Sequence, residues 1–383
     1  MATTPLPALI DAWIEEVWRA RGTDLLITTD SPPLIRVDGV LTPLESVGAL
    51  KPADAEKLVG GVLNAQQRAE LEAGREVDFS FTWRDEARVR GNAFRQRGSA
   101  AVALRVVPHQ IPTFDDLRAP DAVRAFGDLR QGMVLVTGPT GSGKSTTLAA
   151  LIDHVNVTRA CHIVTIEDPM EYVHRHKKAA VSQREVGSDT ASFEAALRSA
   201  LREDPDVILV GEMRDLESIQ FALTLAETGH LVFGTLHTND SAQAIDRLVD
   251  VFPGARQAQI RVQLANALSG VIYQRLVPMI GGGMVAAYEV LVATPAVRNL
   301  IREGKTNQLR NVVATRQADG MQTLEGSLSE LVASELVTHD DAIAVSAFPK
   351  EIGRSPLAAA PAPPEAGAAA VEQSQSRRRL ARR

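Results

Sequence analysis

Residues 138–145 have the types and spacing of a loop that binds phosphate groups. They read Gly-Pro-Thr-Gly-Ser-Gly-Lys-Ser and lie between an apolar segment, 133–137, and a helix-prone segment. Because glycine has no Cβ, backbone N–H groups can converge on phosphate oxygens there, and the N-terminus of the following helix adds partial positive charge. The lysine can reach the β- and γ-phosphates, and the last serine hydroxyl can ligate Mg²⁺. The predicted contacts of a nucleoside triphosphate are Gly138, Pro139, Thr140, Gly141, Ser142, Gly143, Lys144, Ser145 and Thr146, with Ser145 also on the metal.

Two glutamates follow apolar segments that we expect to be strands of one sheet. Glu167 comes directly after 162–166, and Glu212 follows 207–210. Ligand groups gather at the carboxyl ends of parallel strands, so we expect Glu167 to polarise a water for attack on the γ-phosphate. Glu212 is predicted to act on Mg²⁺ or on its bound waters. The alternative for Glu167 is a carboxylate that only caps the next segment.

A further apolar segment, 231–236, has a histidine at each end. His237 follows its carboxyl end and is predicted to sense the γ-phosphate. His230 lies at the opposite end and is expected to couple the sheet to a subunit interface. Both histidines join the two glutamates as catalytic candidates, although an isolated histidine is usually structural. No histidine and cysteine spacing suits a zinc site.

The predicted strands of the first domain carry several arginines, among them Arg88, Arg90 and Arg105. Alternation along a strand puts Arg88 and Arg90 on one face. One interpretation is a solvated basic face. The other is that these three side chains reach a phosphate bound by the following domain, since a guanidinium suits phosphate in charge and in geometry.

The composition is that of an acidic globular protein. The chain has 383 residues, a formal net charge of −6, 4% aromatic residues and one cysteine. The net charge and the few aromatic residues argue against a surface built for nucleic acid. A single cysteine forms no disulfide within the chain, which fits a reducing cytoplasm. No run approaches the ~20 apolar residues that span a bilayer, and we find no signal peptide pattern.

The first segment, 1–112, predicts a small α+β domain. An amphipathic helix is expected at 6–19, and Asp38 with Gly39 predicts a two-residue hairpin turn. Three later strands between 77 and 107 predict an antiparallel meander on which helices can pack.

The rest of the chain predicts an α/β fold. Residues 113–120 read as a linker, and 121–290 alternate apolar strands with helices, which predicts a largely parallel sheet. Residues 291–350 are predicted to be helical. The segment 355–383 is rich in Ala, Pro, Gln and Ser and ends in arginines, so we expect a disordered tail.

Four segments together resemble the Walker A, Asp, Walker B and His boxes of the type II/IV secretion ATPases. They are 138–147, 166–171, 201–215 and 229–238. Within that group, 296–303 is very similar to a helix motif of the type IV pilus retraction ATPases. The arginine-bearing strands of the first domain match as well. The resemblance covers about residues 6–350.

The resemblance implies a PAS-like first domain, a RecA-like second domain and a homohexameric ring with ATP at the domain junction. It assigns Glu167 as the catalytic glutamate, Glu212 as the Walker B glutamate, and His230 and His237 as the His-box histidines. It implies a cytoplasmic motor that hydrolyses ATP at the cytoplasmic face of the inner membrane. There it would act on the pilus platform protein without spanning the membrane, and would remove pilin subunits during twitching motility.

Some features depart from the family pattern. Leu26 stands where many members have histidine, and Gly91 stands where valine is usual. Leu26 and the long tail leave open an accessory retraction ATPase, which would work with a paralogous motor. The sequence is also compatible with a RecA-like nucleic-acid motor, or with a nucleotide-gated binding module without turnover. No nucleic-acid partner is expected.

Overall fold

The computed structural model describes residues 6–37, 39–84, 86–108, 110–187 and 189–353. The first part forms a six-stranded antiparallel sheet in the order β3-β2-β1-β6-β5-β4. Its elements are α1 (Ala8–Arg19), β1 (Asp24–Ile27), β2 (Leu34–Val37), β3 (Val40–Pro43), α2 (Pro52–Val62), α3 (Ala65–Glu72), β4 (Val77–Trp83), β5 (Ala87–Gln96) and β6 (Ser99–Pro108). Strands β2 and β3 pair as the expected hairpin, although Asp38 lies outside the described residues.

Helix α1 closes one face of this first sheet. Most of its apolar stripe is buried, with Ile10 and Ile14 fully enclosed, whereas Leu9, which the helical spacing puts near the same face, is exposed. On the same helix, Asp11 accepts a hydrogen bond of 2.7 Å from the indole N–H of Trp83, which ties α1 to the end of β4. The domain therefore has its own apolar core and a polar contact that orients its first helix.

Gly91 is covered by an aromatic ring from the neighbouring strand. It pairs with Phe79 across β4 and β5. A Cβ at Gly91 would lie 2.2 Å from the Phe79 ring. The departure from the usual valine therefore has a packing reason, because the ring occupies the space that a larger side chain would need.

The second part forms a seven-stranded sheet in the order β13-β12-β7-β11-β10-β8-β9. Neighbouring strands are parallel except β12 and β13, which are antiparallel. Its elements are α4 (Asp121–Gly127), β7 (Gly132–Thr137), α5 (Lys144–Thr158), β8 (His162–Glu167), β9 (Ala180–Glu185), α6 (Phe193–Ala200), β10 (Val207–Val210), α7 (Leu216–Glu227), β11 (Leu231–Leu236), α8 (Ser241–Asp250), α9 (Gly254–Ala267), β12 (Leu268–Pro278) and β13 (Met284–Val292). The predicted α/β fold is confirmed, with the central strands buried along their whole length.

The last described part is helical, and its final two helices pack on the β12–β13 pair, while the two before them pack on α9 and α8. Its helices are α10 (Pro295–Arg302), α11 (Leu309–Thr315), α12 (Leu324–Ala333) and α13 (His339–Val345). Leu328 and Val332 of α12 share an apolar cluster with Tyr273 and Val277 of β12. Between this region and the sheet lies a cavity of about 570 Å³, whose lining includes Tyr273 and Arg275.

Three predicted segment boundaries can be compared with the residues that the structure describes. The boundary expected after residue 290 falls inside β13, which ends at Val292. The predicted linker, 113–120, contains turns but no helix or strand. The predicted tail, 355–383, lies outside the described residues. Across the part of the chain that the structure describes, no helix is both long enough and apolar enough to cross a membrane.

Candidate functional site

Residues 140–146 of the phosphate loop and three of the four catalytic candidates line one cleft of about 560 Å³. The cleft lies at the carboxyl ends of the parallel strands. Glu167 is the last residue of β8, Glu212 comes two residues after β10, and His237 directly follows β11. The volume lies within the range of about 300–1,000 Å³ that is usual for small-molecule sites. Residues far apart in the chain therefore meet where an α/β sheet ordinarily binds its ligand.

The loop backbone requires glycine at particular positions. Gly138 has φ of 148° and Gly143 has φ of 86°, values that residues with a side chain rarely adopt. A Cβ at Gly138 would also lie 2.5 Å from the backbone carbonyl oxygen of Gln274. Helix α5 begins at Lys144, within the last residues of the loop segment, so the positive end of its dipole lies at the cleft.

Lys144 is held by its own loop. Its side chain is buried, and Nζ donates hydrogen bonds of 2.9 Å and 3.0 Å to the carbonyl oxygens of Gly138 and Pro139. Burial lowers the pKa of Lys144, while the nearby carboxylates of Glu212 and Glu171 oppose that change. The amine therefore lies beside the phosphate loop, and phosphate oxygens would replace these carbonyl contacts.

Glu167 is fixed by neighbouring side chains. Its Oε1 accepts hydrogen bonds from Thr165 Oγ1 at 2.7 Å and from Gln183 Nε2 at 3.2 Å. Burial raises the pKa of Glu167, and these two hydrogen bonds act in the opposite direction, as does a bond from the Glu171 backbone. The next element is the strand β9, so Glu167 does not cap a helix. An oriented carboxylate with a raised pKa suits a general base.

Glu212 and His237 form a contact pair at the cleft. His237 Nε2 lies 3.2 Å from Glu212 Oε1, and Arg214 contacts the same oxygen. Burial lowers the pKa of His237, Lys144 lowers it further, and Glu212 opposes the change. An imidazole with a lowered pKa therefore lies next to a carboxylate that also faces the loop lysine.

The oxygen ligands at this end of the cleft fit Mg²⁺. The hydroxyl of Ser145 and the carboxylate of Glu212 line the same cleft. Both are hard oxygen donors, and Mg²⁺ is usually held by one or two such side chains together with waters and phosphate oxygens. These two residues would hold the ion.

His230 is separate from the cleft. It directly precedes β11, at the end opposite His237, and its Nδ1 lies 2.9 Å from the Leu225 carbonyl oxygen and 3.1 Å from Thr228 Oγ1. The structure does not bring it together with the other catalytic candidates, because the length of β11 separates the two histidines. Its expected role at a subunit interface stays a prediction.

Arg88 and Arg105 pair with carboxylates, and none of the three first-domain arginines lines the cleft. Arg88 Nη2 lies 3.3 Å from Glu185 Oε2 of β9, which is a contact between the two sheets. Arg105 Nε lies 2.9 Å from Asp24 within its own sheet. Burial lowers the pKa of Arg90, and Glu185 and Glu171 oppose that change. Glu171 is itself part of the cleft lining. A contact of these arginines with phosphate stays a prediction.

Sequence reasoning missed three residues of this region. Tyr172 lines the cleft, and its hydroxyl lies 3.0 Å from Thr146 Oγ1. Gln183 orients Glu167, and Gln274 donates a hydrogen bond of 2.6 Å to the Ser142 carbonyl oxygen. Only Tyr172 had a local signal, because it follows the acidic segment after β8. The two glutamines lie on strands without any pattern that marks them.

Comparisons with known proteins show which proteins this chain is similar to. Residues 4–341 match the family model described as type II/IV secretion system protein. The chain is 50% identical over 320 residues to the type IV pilus retractation ATPase PilT of Pseudomonas aeruginosa, covering 84% of this chain and 93% of the relative. It is 40% identical over 324 residues to the type IV pilus ATPase PilU of the same species, covering 84% and 85%. A crystal structure of the pilus retraction motor PilT with bound ADP matches with a TM-score of 0.82 and 50% identity, covering 89% of this chain and 98% of that one.

Proposed function

This chain belongs to the type II/IV secretion system protein family, and from that premise we propose that it is the ATP-hydrolysing motor of type IV pilus retraction. One observation carries the proposal. The phosphate loop, Glu167, Glu212 and His237 share one cleft in a chain that is 50% identical to PilT over 93% of that relative. Identity to PilU is lower, at 40%, which favours the main retraction motor over an accessory one.

The loop would bind the triphosphate through its backbone and its lysine. The backbone N–H groups of the loop and the α5 N-terminus would donate to the β- and γ-phosphates, and the Ser142 N–H would give up its present hydrogen bond to the Pro139 carbonyl oxygen. Lys144 would exchange its two carbonyl contacts for phosphate oxygens. Mg²⁺ held by Ser145 and Glu212 would neutralise charge on the phosphates when bound.

Hydrolysis would use Glu167 as the general base. A water oxygen attacks the γ-phosphorus, the bond to the β–γ bridging oxygen breaks, and the Glu167 carboxylate accepts a proton from that water. ATP and water become ADP and phosphate. Thr165 and Gln183 hydrogen-bond the carboxylate and would keep it oriented, and His237, which contacts Glu212, would sense loss of the γ-phosphate.

The work of retraction would come from movement of the two domains relative to each other within a homohexamer. Arg88 already joins the first domain to β9, so a change at the cleft can alter the contact between the sheets. Helix α10, which carries the retraction-motor motif, is anchored by buried Val297 and Ile301. We propose that the ring acts on the platform protein at the cytoplasmic face of the inner membrane and removes pilin from the filament.

The decisive biochemical test is Glu167→Gln, which keeps the shape and removes the base. We expect at least a hundredfold slower phosphate release, with ATP still bound, because general bases contribute about 10²–10⁴-fold. Glu330→Gln, an exposed change on α12, is the matched control and should behave as wild type. Equal phosphate release by wild type and Glu167→Gln would show that the catalytic assignment is wrong.

The cellular test is deletion of the gene, followed by a count of surface pili and a twitching assay. Many pili without twitching would support the main retraction motor, and complementation with Glu167→Gln should not restore movement. Normal pilus numbers with weakened force would instead support the accessory role. Normal twitching after deletion would refute both retraction roles.

A further inference from the structure

Gln274 contacts the phosphate loop from behind the cleft. It lies within β12, and its side chain is only 1% exposed. Its Nε2 donates a hydrogen bond of 2.6 Å to the carbonyl oxygen of Ser142. Strand β12 pairs with β7, the strand that leads into the loop, with Tyr273 opposite Thr137. The sheet therefore fixes Gln274 in relation to the loop that it contacts.

This hydrogen bond holds the carbonyl of the Ser142–Gly143 peptide toward Gln274. The C=O and N–H of a trans peptide unit face opposite directions. Gly143 lines the cleft and Gln274 does not. With the Ser142 carbonyl held toward Gln274, the N–H of Gly143 points away from Gln274 and, we infer, into the cleft.

Such a peptide needs an anchor, because glycine permits more than one orientation. Gly143 has φ of 86°, and glycine passes between that region and negative φ at little steric cost. A flipped peptide would present a carbonyl oxygen to the phosphates in place of an N–H. A polar donor on the far side of the loop opposes that flip.

The packing around Gln274 is tight on both sides of the loop. A Cβ at Gly143 would lie 3.0 Å from Gln274 Nε2, and one at Gly138 would lie 2.5 Å from its backbone oxygen. Gln274 Oε1 and Ser142 Oγ are buried, and neither has a hydrogen-bond partner among the described residues. The amide therefore has close contact with the loop and a single strong hydrogen bond to it.

We propose that Gln274 is a positioning residue for ATP hydrolysis, which holds the Ser142–Gly143 peptide with its N–H aimed at the phosphates. The inference rests on the proposed function of the cleft as an ATP site. Gln274 itself touches no reacting atom and acts only through the loop. The competing interpretation is a buried hydrogen bond that contributes to stability alone.

Two substitutions in the full-length protein separate these interpretations. Gln274→Leu removes the donor, and we expect the Kd for ADP and the KM for ATP to rise about tenfold, with a smaller change in kcat, as loss of one buried hydrogen bond implies. Gln274→Glu keeps the shape, but a carboxylate cannot donate. Its ADP affinity, relative to wild type, should recover as the pH is lowered and the carboxyl becomes a donor, whereas Gln274→Leu should show no such recovery.

Ser327→Ala is the matched control. The hydroxyl of Ser327, on α12, accepts a buried hydrogen bond of 3.1 Å from the backbone N–H of Tyr288 on β13, and neither residue lines the cleft. It should lower the Tm without changing the Kd for ADP. If Gln274→Leu lowers the Tm and leaves the ADP Kd and ATP KM unchanged, Gln274 is only structural and the proposal is overturned.

Calorimetric or fluorescent ADP binding keeps this test independent of turnover. If wild type binds ADP but releases no phosphate from ATP, the proposed function fails, and the Gln274 variants still report on peptide positioning. If Gln274→Leu does not fold, the pH dependence of ADP binding by Gln274→Glu distinguishes a positioning role from a contribution to stability alone. Affinity that stays equally low at every pH would overturn the proposal.

Discussion

At the scale of single residues, the protonation of Glu167 depends on opposing influences. Burial raises its pKa, while hydrogen bonds from Thr165 and Gln183 stabilise the ionised form and lower it. A general base must be ionised to accept a proton. The rate of ATP hydrolysis should therefore fall on acidification at a pH above the range of an ordinary glutamate.

The contribution of Gln183 can be measured from this pH dependence. In Gln183→Leu the carboxylate loses a stabilising donor, so the pKa of Glu167 rises further and the acidic limb of kcat moves to higher pH. Steady-state hydrolysis between pH 5 and pH 8 measures the shift. If the acidic limb of kcat in Gln183→Leu stays at the wild-type pH, Gln183 does not control the pKa of Glu167.

At the scale of elements, β4 and β5 depend on a glycine beneath an aromatic ring. Gly91→Val would place a side chain inside the Phe79 ring, and we expect a loss of about 1–3 kcal/mol in the free energy of unfolding from overpacking. Phe79→Ala in the same chain should recover part of that loss, because it opens the space. Urea unfolding of the single and double variants measures the interaction. Additive losses would contradict this explanation of Gly91.

Local patterns are enough to predict the central strands and the loop between β7 and α5. Strands β7, β8, β10 and β11 are continuous apolar segments, and the residues at their ends follow from the rule that parallel strands gather ligands at one edge. Strand β9 is different. It reads Ala-Val-Ser-Gln-Arg-Glu and lies at the sheet edge, so its polar sequence has no strong strand signal.

The supporting contacts of the site depend on distant parts of the chain. Gln183 and Glu167 are 16 residues apart, and Gln274 and Ser142 are 132 residues apart. An amide side chain on a strand carries no sign of which carbonyl or carboxylate it will meet. The pairing of strands determines which group the amide contacts. The residue pattern of a single segment does not predict that pairing.

At the scale of the whole molecule, the two sheets are joined through Arg88 and Glu185. Both side chains are largely buried, at 21% and 12% exposure, so their interaction is weakly screened. Glu185 also accepts a hydrogen bond of 3.0 Å from the Met170 backbone N–H, close to the cleft. The position of the first domain is therefore linked to the segment that follows Glu167.

Two substitutions test whether Arg88 only joins the domains or also reaches phosphate. Arg88→Ala removes both functions, whereas Glu185→Gln weakens the domain contact and leaves the guanidinium in place. If Arg88 reaches phosphate, Arg88→Ala should lower kcat at least tenfold more than Glu185→Gln, as expected for loss of a charged donor. Arg95→Ala, which affects a pair with Glu56 inside the first domain, is the control. Equal effects of the two substitutions would limit Arg88 to domain contact.

The alternation of side chains along strand β12 limits where the gene can gain or lose codons. Its alternating side chains put Gln274 against the loop, while Tyr273 and Arg275 line the cavity beneath the C-terminal helices. One codon inserted within the strand would exchange these two faces, since side chains alternate with a period of two. Insertions and deletions in the gene should therefore be tolerated at the turn 279–283 that joins β12 to β13, and removed by selection within the strand itself.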